Sequence, residues 1–81
     1  MRVTVRFFAF LRDVAGVDAC MLDLIPGDSG LEVRARLAQR YHGLASSFDS
    51  CRLAVNQEYQ PWETPLRDGD ELGLIPPVSG G

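Results

Sequence analysis

The residues of this chain best placed to do chemistry are its last seven, IPPVSGG. Pro76 and Pro77 each fix a backbone φ angle, and a proline also favours extended geometry at the residue before it, so the segment is stiff and points one way. Gly80 and Gly81 have no Cβ, which lets the backbone enter a slot too narrow for any other residue. The only functional group at such a tip is the α-carboxylate, ionised at neutral pH because its pKa is about 3.5.

A carboxylate becomes reactive when one of its oxygens is converted into a leaving group. Attack on the α-phosphate of ATP gives an acyl-adenylate, which sulfur or an amine then displaces. The four residues after Pro77, fully extended, reach about 13 Å. We predict that Gly81 is the reacting residue and that a tail segment enters the active site of another protein; an idle, frayed end is the alternative interpretation. The tail segment comprises Pro76, Pro77, Val78, Ser79 and Gly80.

The chain lacks residues that could carry out this activation by itself. It has no GxxxxGK[ST] loop, no GxGxxG after a strand, and no Ser–His or Cys–His pairing. His42 is the single histidine and lies near the end of a predicted helix, and Asp68-Gly69-Asp70 is typical of a solvent-facing turn rather than a metal site. We therefore predict that the chain is not an enzyme on its own, binds no metal and holds no cofactor tightly, and that a partner enzyme uses the ATP.

Composition limits the remaining choices. The chain has 81 residues with a net charge of −3, so it lacks the basic stripe of a nucleic-acid-binding domain. No stretch approaches the roughly 20 apolar residues of a membrane span, and Arg2 and Arg6 interrupt the apolar start that a signal peptide would need. Cys20 and Cys51 have no metal-site spacing and suggest a reducing compartment. The sequence predicts one cytoplasmic domain with neither nucleic-acid nor membrane partners.

The first part of the chain predicts two strands around a short helical turn. RVTVRFFAF is rich in β-branched and aromatic residues, and LRDVAG reads as a helical turn that ends at Gly16. DACMLDLI then returns as a second strand, before Pro26-Gly27. One face of the first strand carries Val3, Val5 and Phe7, and the opposite face becomes apolar only at Phe8 and Phe10.

The centre of the chain predicts one main helix. Ser29 and Glu32 match the S-x-x-E capping box, in which a hydroxyl and a carboxylate each satisfy a free backbone N–H. Gly43 is the predicted end of this helix. Apolar residues at helical spacing are Val33, Leu37, Tyr41 and Leu44.

The last part predicts three more strands. CRLAVN alternates, NQEY supplies a turn into a short segment around Tyr59, and a turn at Asp68–Asp70 precedes a final strand from about Glu71 to Ile75. This order predicts an α+β fold of the β-grasp type, with a mixed sheet of about five strands packed on one main helix and with the first and last strands side by side. The domain spans residues 1–77, and residues 78–81 form a protruding tail.

Binding of a partner requires an apolar surface near the tail. We predict that Ile75, Phe8 and Phe10 form it on the open face of the sheet, although core packing is the alternative for each.

Three segments of the chain together carry a family resemblance: FAFLRDVAG, AVNQEY and LRDGDELGLIPPVSGG. On these segments, which occur in the same order and over nearly the whole chain, the sequence resembles the small, sulfur-carrying subunit of molybdopterin synthase. It implies a ubiquitin-like β-grasp fold. It also implies that an E1-like enzyme adenylates Gly81 with ATP, and that a persulfide donor converts the adenylate into a thiocarboxylate.

The resemblance further implies where the sulfur goes. The tail enters the large synthase subunit, where the thiocarboxylate converts cyclic pyranopterin monophosphate into molybdopterin in a heterotetramer built around a large-subunit dimer. Three alternatives stay open at this point: a thiamine-pathway sulfur carrier, a ubiquitin-like modifier conjugated through Gly81, and a plain interaction module.

Overall fold

A computed structural model describes residues 1–77. In this range it contains five strands and two α-helices, in the predicted order, and one 3-10 helix that was not predicted. The elements are β1 (Arg2–Phe7), α1 (Phe10–Ala15), β2 (Ala19–Asp23), α2 (Gly30–Arg40), a 3-10 helix (Ala45–Ser50), β3 (Arg52–Val55), β4 (Glu58–Gln60) and β5 (Glu71–Ile75).

The strands form one mixed sheet in the order β2-β1-β5-β3-β4. The first and last strands, β1 and β5, are parallel neighbours in the middle of the sheet, as predicted, and the other pairs are antiparallel. β2 and β4 are therefore the two edges. Because β5 is hydrogen-bonded on both sides, the last strand of the chain has a fixed position and direction.

The core lies between one face of the sheet and α2. Nine side chains are less than 2% exposed, and they come from both strands and helices. They are Val3, Val5, Leu11, Val33, Leu37, Leu44, Leu53, Leu72 and Leu74.

The start of α2 is fixed by its cap and by close packing. The predicted capping box is present: the Ser29 hydroxyl accepts from the N–H of Leu31 at 3.1 Å, and the Ser29 N–H donates to the Glu32 carboxylate at 2.6 Å. Gly30 is needed for space, since a Cβ there would lie 2.7 Å from the carbonyl oxygen of Trp62. The helix thus begins against the loop that follows β4.

The helix ends at Arg40, three residues earlier than Gly43, which was the predicted end. Tyr41 is extended, and its ring packs edge-on against Phe7 with centroids 5.5 Å apart. Leu44 is nevertheless fully buried. Tyr41 and Leu44 both pack on the core although they lie beyond the end of the helix, because the turn that follows the helix folds back onto the core.

The turn between β3 and β4 sets the start of β5. Asn56 and Gln57 both have positive φ angles, which suits a tight hairpin between twisted strands. The Asn56 side-chain oxygen accepts from the backbone N–H of Glu71, and its amide nitrogen donates to the Asp70 carboxylate, both at 2.9 Å. The hairpin therefore holds the first residue of the strand that carries the tail.

Candidate functional site

The tail begins at the end of a central strand. Ile75 is the last residue of β5 and pairs with Arg52 of β3, and Leu74 pairs with both Phe7 and Leu53. Pro76 and Pro77 follow directly. The predicted tail residues Val78, Ser79, Gly80 and Gly81 lie outside the described residues, so their roles stay predictions.

An apolar patch lies beside the tail root on the open face of the sheet. Along β5, Leu72 and Leu74 point into the core, so Gly73 and Ile75 point to the opposite face. A Cβ at Gly73 would lie 3.2 Å from Phe8 Cε2, 3.4 Å from Ile75 Cδ1 and 3.8 Å from Ala54 Cβ. These residues therefore meet above Gly73, where they line a shallow depression of about 130 Å³. We call Phe8, Ala54, Gly73 and Ile75 the open-face patch.

Two of the three predicted interface residues come together here. Phe8 is 43% exposed and contacts the space above Gly73, so it does not belong to the core. Phe10 is 45% exposed but begins α1, beyond a tight turn that the N–H of Leu11 closes on the carbonyl of Phe8 at 3.1 Å. The structure thus groups Phe8 with Ile75 and places Phe10 on the neighbouring helix.

Charged groups that sequence reasoning missed surround the open-face patch. Arg6 of β1 pairs with Glu71 of β5 at 2.9 Å, and both residues line the depression. Arg52, which is in register with Ile75, places its guanidinium 3.9 Å from the ring centroid of Tyr59. The period-two alternation of β1 predicts Arg6 on this face, although not as a neighbour of the patch, and the alternation of β3 could have located Arg52 there. Their arrangement gives an apolar centre with a polar rim, which is typical of a protein interface.

The Cys51 thiol is not held as a reactive thiolate. Burial raises the pKa of the Cys51 thiol above its ordinary 9.0, and the nearby Arg34 only partly opposes this. The pKa of the Tyr41 hydroxyl is also raised above its ordinary 10.0, mainly because of burial and to a lesser extent because of the neighbouring Cys20. Both cysteines are free thiols. The Cys51 thiol and the Tyr41 hydroxyl are therefore neutral at physiological pH, and they suit packing better than nucleophilic catalysis.

Two further properties of the described chain bear on the site. Within residues 1–77, no three His, Cys, Asp or Glu side chains are grouped closely enough to hold a metal ion. In the same range, no helix has the length and apolar character needed to cross a membrane.

Comparison with known proteins identifies the family. The model of the ThiS family matches residues 5–81. The chain belongs to the ThiS family. The chain is 39% identical to the molybdopterin synthase sulfur carrier subunit of Chlamydomonas reinhardtii, with 100% of each chain covered. It is 37% identical to the subunit of the same name from Haemophilus influenzae, with coverage of 98% and 99%. The resemblance predicted from the sequence is confirmed.

Similarity to solved structures confirms the β-grasp fold. The crystal structure of SAMP1 from Haloferax volcanii superimposes with a TM-score of 0.90 at 27% identity, and 100% of each chain is covered. A chain from the complex of subunits 1 and 2 of the molybdopterin-converting factor of Helicobacter pylori gives a TM-score of 0.73 at 34% identity, again with full coverage. The latter neighbour was solved together with a partner subunit.

Proposed function

We propose that this chain is the sulfur carrier subunit of a molybdopterin synthase. The observation that carries the proposal is full-length similarity to several proteins of that name, together with a ThiS-family match that continues through Gly81. The position of the tail root supports it, because a central strand delivers the tail beside an apolar patch.

The chemistry takes place at the tip of the tail. The Gly81 carboxylate attacks the α-phosphate of ATP on an E1-like enzyme, pyrophosphate leaves, and an acyl-adenylate forms. The terminal sulfur of a donor persulfide then attacks the acyl carbon and AMP leaves. A second thiol of the donor system cleaves the resulting acyl disulfide and forms a disulfide with the donor sulfur, so the carrier leaves as a thiocarboxylate. This chain supplies the acyl group and a fold that presents it, while the partner enzymes supply the catalytic residues and the ATP site. The cytoplasmic location expected from the sequence is part of the same proposal.

The second partner is the large subunit of the synthase. There the thiocarboxylate gives its sulfur to cyclic pyranopterin monophosphate and Gly81 returns as a carboxylate. Since molybdopterin contains two such sulfurs, the carrier acts twice for each product. We propose the heterotetramer implied by the resemblance, with one carrier at each end of a large-subunit dimer.

Binding of the large subunit uses the open-face patch. Ordering the four tail residues costs about 1–2 kcal/mol for each backbone that is fixed, so the complex needs compensating contacts elsewhere. Burial of the exposed parts of Phe8 and Ile75 provides them, at roughly 25 cal/mol for each Å² of apolar surface. The adjacent Arg6–Glu71 pair and Arg52 then form the polar rim.

The interface prediction is tested by Ile75→Asp. We expect an unchanged melting temperature, because Ile75 points away from the core, and a loss of affinity for the large subunit of at least about tenfold, because a buried carboxylate costs more than 1.4 kcal/mol. Isothermal titration calorimetry with purified large subunit measures the affinity. Ile25→Asp is the matched control, since Ile25 is 65% exposed in the loop between β2 and α2. Equal affinities for the two variants would remove Ile75 from the interface.

The tail prediction is tested by changing its length. Deleting Gly81, or adding one residue after it, moves the terminal carbon by about 3.3 Å, whereas reacting atoms must approach within about 3–3.5 Å. We expect no sulfur delivery from either variant and almost unchanged stability. The assay combines carrier, E1-like enzyme, ATP, sulfide and large subunit, and pterin conversion is the readout. Gly80→Val keeps the length and tests the width of the slot. Turnover near the native rate with an altered length would rule out Gly81 as the sulfur-bearing residue.

A second candidate function is protein modification through Gly81. It is favoured by the structural similarity to small archaeal modifier protein 1, for which the Methanosarcina acetivorans structure gives a TM-score of 0.85 at 30% identity. Blots of tagged chain from cells distinguish the two functions. A ladder of covalent conjugates that depends on Gly81 supports the modifier function, and pterin conversion by the reconstituted complex supports the carrier function. A thiamine-pathway carrier would form the thiocarboxylate but would not convert the pterin.

A further inference from the structure

The outer edge of β2 carries backbone groups that face away from the sheet. Met1 and Leu24 exchange backbone hydrogen bonds, and the N–H of Phe7 donates to the carbonyl of Asp18. In an antiparallel ladder such bonded pairs alternate with non-bonded pairs. Met21 and Asp23 fall in the non-bonded pairs, opposite Thr4 and Arg2. Their N–H and C=O groups therefore point outward, at the edge of the sheet.

Two arginines of α2 occupy this edge. Arg36 Nη1 donates to the carbonyl of Asp23, and Arg40 Nη1 donates to the carbonyl of Met21, both at 3.1 Å. Residues four apart on a helix are separated by about 6 Å along its axis, and residues two apart on a strand by about 6.7 Å. The two spacings match, so each guanidinium meets one outward carbonyl. The guanidinium groups thus take the positions that the N–H groups of an added strand would take.

The same residues border a groove. Met21, Leu22 and Asp23 form one wall of it, and Arg36, Gln39 and Arg40 of α2 form the other. We propose that this groove binds an extended acidic segment of a partner protein, which adds to β2 as a sixth strand. This surface lies at the edge of the sheet, separate from the open-face patch, and the inference does not depend on the proposed sulfur chemistry.

Binding of the segment replaces the arginine donors by backbone N–H donors, so the carbonyls of Met21 and Asp23 stay hydrogen-bonded. Backbone N–H groups of the incoming strand donate to the carbonyls of Met21 and Asp23, and the displaced guanidinium groups become free. Arginine pairs well with carboxylates, because its planar fork can donate two parallel hydrogen bonds. An acidic segment therefore recovers the bonds that the two arginines give up, whereas a basic segment meets two uncompensated positive charges.

The alternation of side chains along a β-strand specifies which residues of the bound segment should be acidic and which should be apolar. Alternate side chains of an added strand point to opposite faces of the sheet. Those on the helix side approach Arg36 and Arg40 and should be acidic. Those on the open face lie beside Met21, which is 58% exposed, and should be apolar. The Asp23 carboxylate, also on the open face, is paired with Arg2 at 3.0 Å, which reduces its repulsion of the segment.

A synthetic peptide tests the proposal on the full chain. The probe is an acetylated and amidated seven-residue peptide that alternates valine and glutamate, added to ¹⁵N-labelled protein. We expect saturable NMR shifts centred on the backbone amides of Met21 and Asp23, and slower hydrogen exchange at both. A peptide with lysine in place of glutamate, and one with N-methylated backbone on the bonding side, are the controls. We expect both to bind at least about tenfold more weakly.

Variants of the two arginines complete the test. Arg36→Gln with Arg40→Gln should weaken binding of the glutamate peptide by at least about tenfold. Arg67→Gln, at an exposed arginine in the loop between β4 and β5, should leave it unchanged. The proposal is overturned if the amides of Met21 and Asp23 do not shift at millimolar peptide, or if the lysine peptide binds equally well. It is also overturned if the double variant, still folded by circular dichroism, binds the peptide like the native chain. Self-association of that variant without peptide binding would show that the arginines only block pairing with a second copy.

Discussion

Ala9 adopts a backbone conformation that usually belongs to glycine. Its φ is 52° and its ψ is −131°, close to the first central position of a type II′ turn. The turn lets the chain pass from β1 to α1 within two residues, and it leaves the flanking Phe8 and Phe10 exposed on different elements. The sequence could not predict this angle, because alanine normally avoids it and only the packing on both sides requires it.

The strain at Ala9 predicts a stabilising substitution. Ala9→Gly should raise the free energy of unfolding by about 1 kcal/mol, because the relief of a strained non-glycine residue exceeds the added chain entropy. Urea denaturation followed by circular dichroism measures the change. The same substitution at the exposed helical residue Ala35 is the control and should lower stability by about 1 kcal/mol. A less stable Ala9→Gly protein would show that the turn is not strained.

Other single residues were easier to predict. The alternation in β1 predicted Val3, Val5 and Phe7 on one face, and all three are buried. It also placed Phe8 on the opposite face, but whether Phe8 packed in a second core or stayed exposed depended on what covers that face. Sequence periodicity predicts which face of the sheet a side chain occupies, but it does not predict whether another part of the protein covers that face.

At the scale of elements, Arg34 joins three of them. Its guanidinium, on α2, lies 5.3 Å from the ring centroid of Phe48 in the 3-10 helix and 5.0 Å from that of Trp62 in the loop after β4. It also pairs with Asp49 at 2.8 Å. Asp49 is 95% exposed, so this ion pair contributes little. The two aromatic contacts therefore matter more.

Removing this guanidinium should loosen the contact between α2, the 3-10 helix and the Trp62 loop. Arg34→Met keeps an unbranched apolar chain and loses both cation–π contacts, so we expect a loss of about 1–2 kcal/mol in the free energy of unfolding. Chemical denaturation monitored by the single tryptophan gives the value. Arg67→Met, at an exposed arginine, should change stability by less than about 0.5 kcal/mol. Equal effects of the two substitutions would contradict this role of Arg34.

Elements were predictable where local signals were strong. The capping box located the start of α2, and turn residues bounded β5 at Glu71 and Ile75. The 3-10 helix was not predicted, because the stretch ASSFDS has no clear period and Phe48 is its one buried residue. The end of α2 was predicted too late because the partly buried Tyr41 and the buried Leu44 still pack on the core in the turn that follows. Apolar spacing cannot distinguish a residue in the helix from a residue in a turn that folds back onto the core.

At the scale of the whole molecule, the chain separates its surfaces. A central strand directs the tail, the open-face patch lies at the root of that tail, and the outer edge of β2 lies across β1 from the strand that carries it. The sheet order follows from the β-grasp topology, which the order of elements predicted. The arginine-covered edge could not be predicted, since it depends on how α2 lies against β2.

The central claim is that Gly81 carries the sulfur, and intact-mass spectrometry tests it most directly. The full chain is incubated with the E1-like enzyme, ATP and sulfide, and its mass is compared with that of the untreated chain. The account predicts the replacement of one oxygen by sulfur, located at Gly81 by fragmentation and absent from a variant with one residue appended after Gly81. Sulfur found on Cys20 or Cys51 instead, or an unchanged mass in a reaction that releases pyrophosphate, would contradict it.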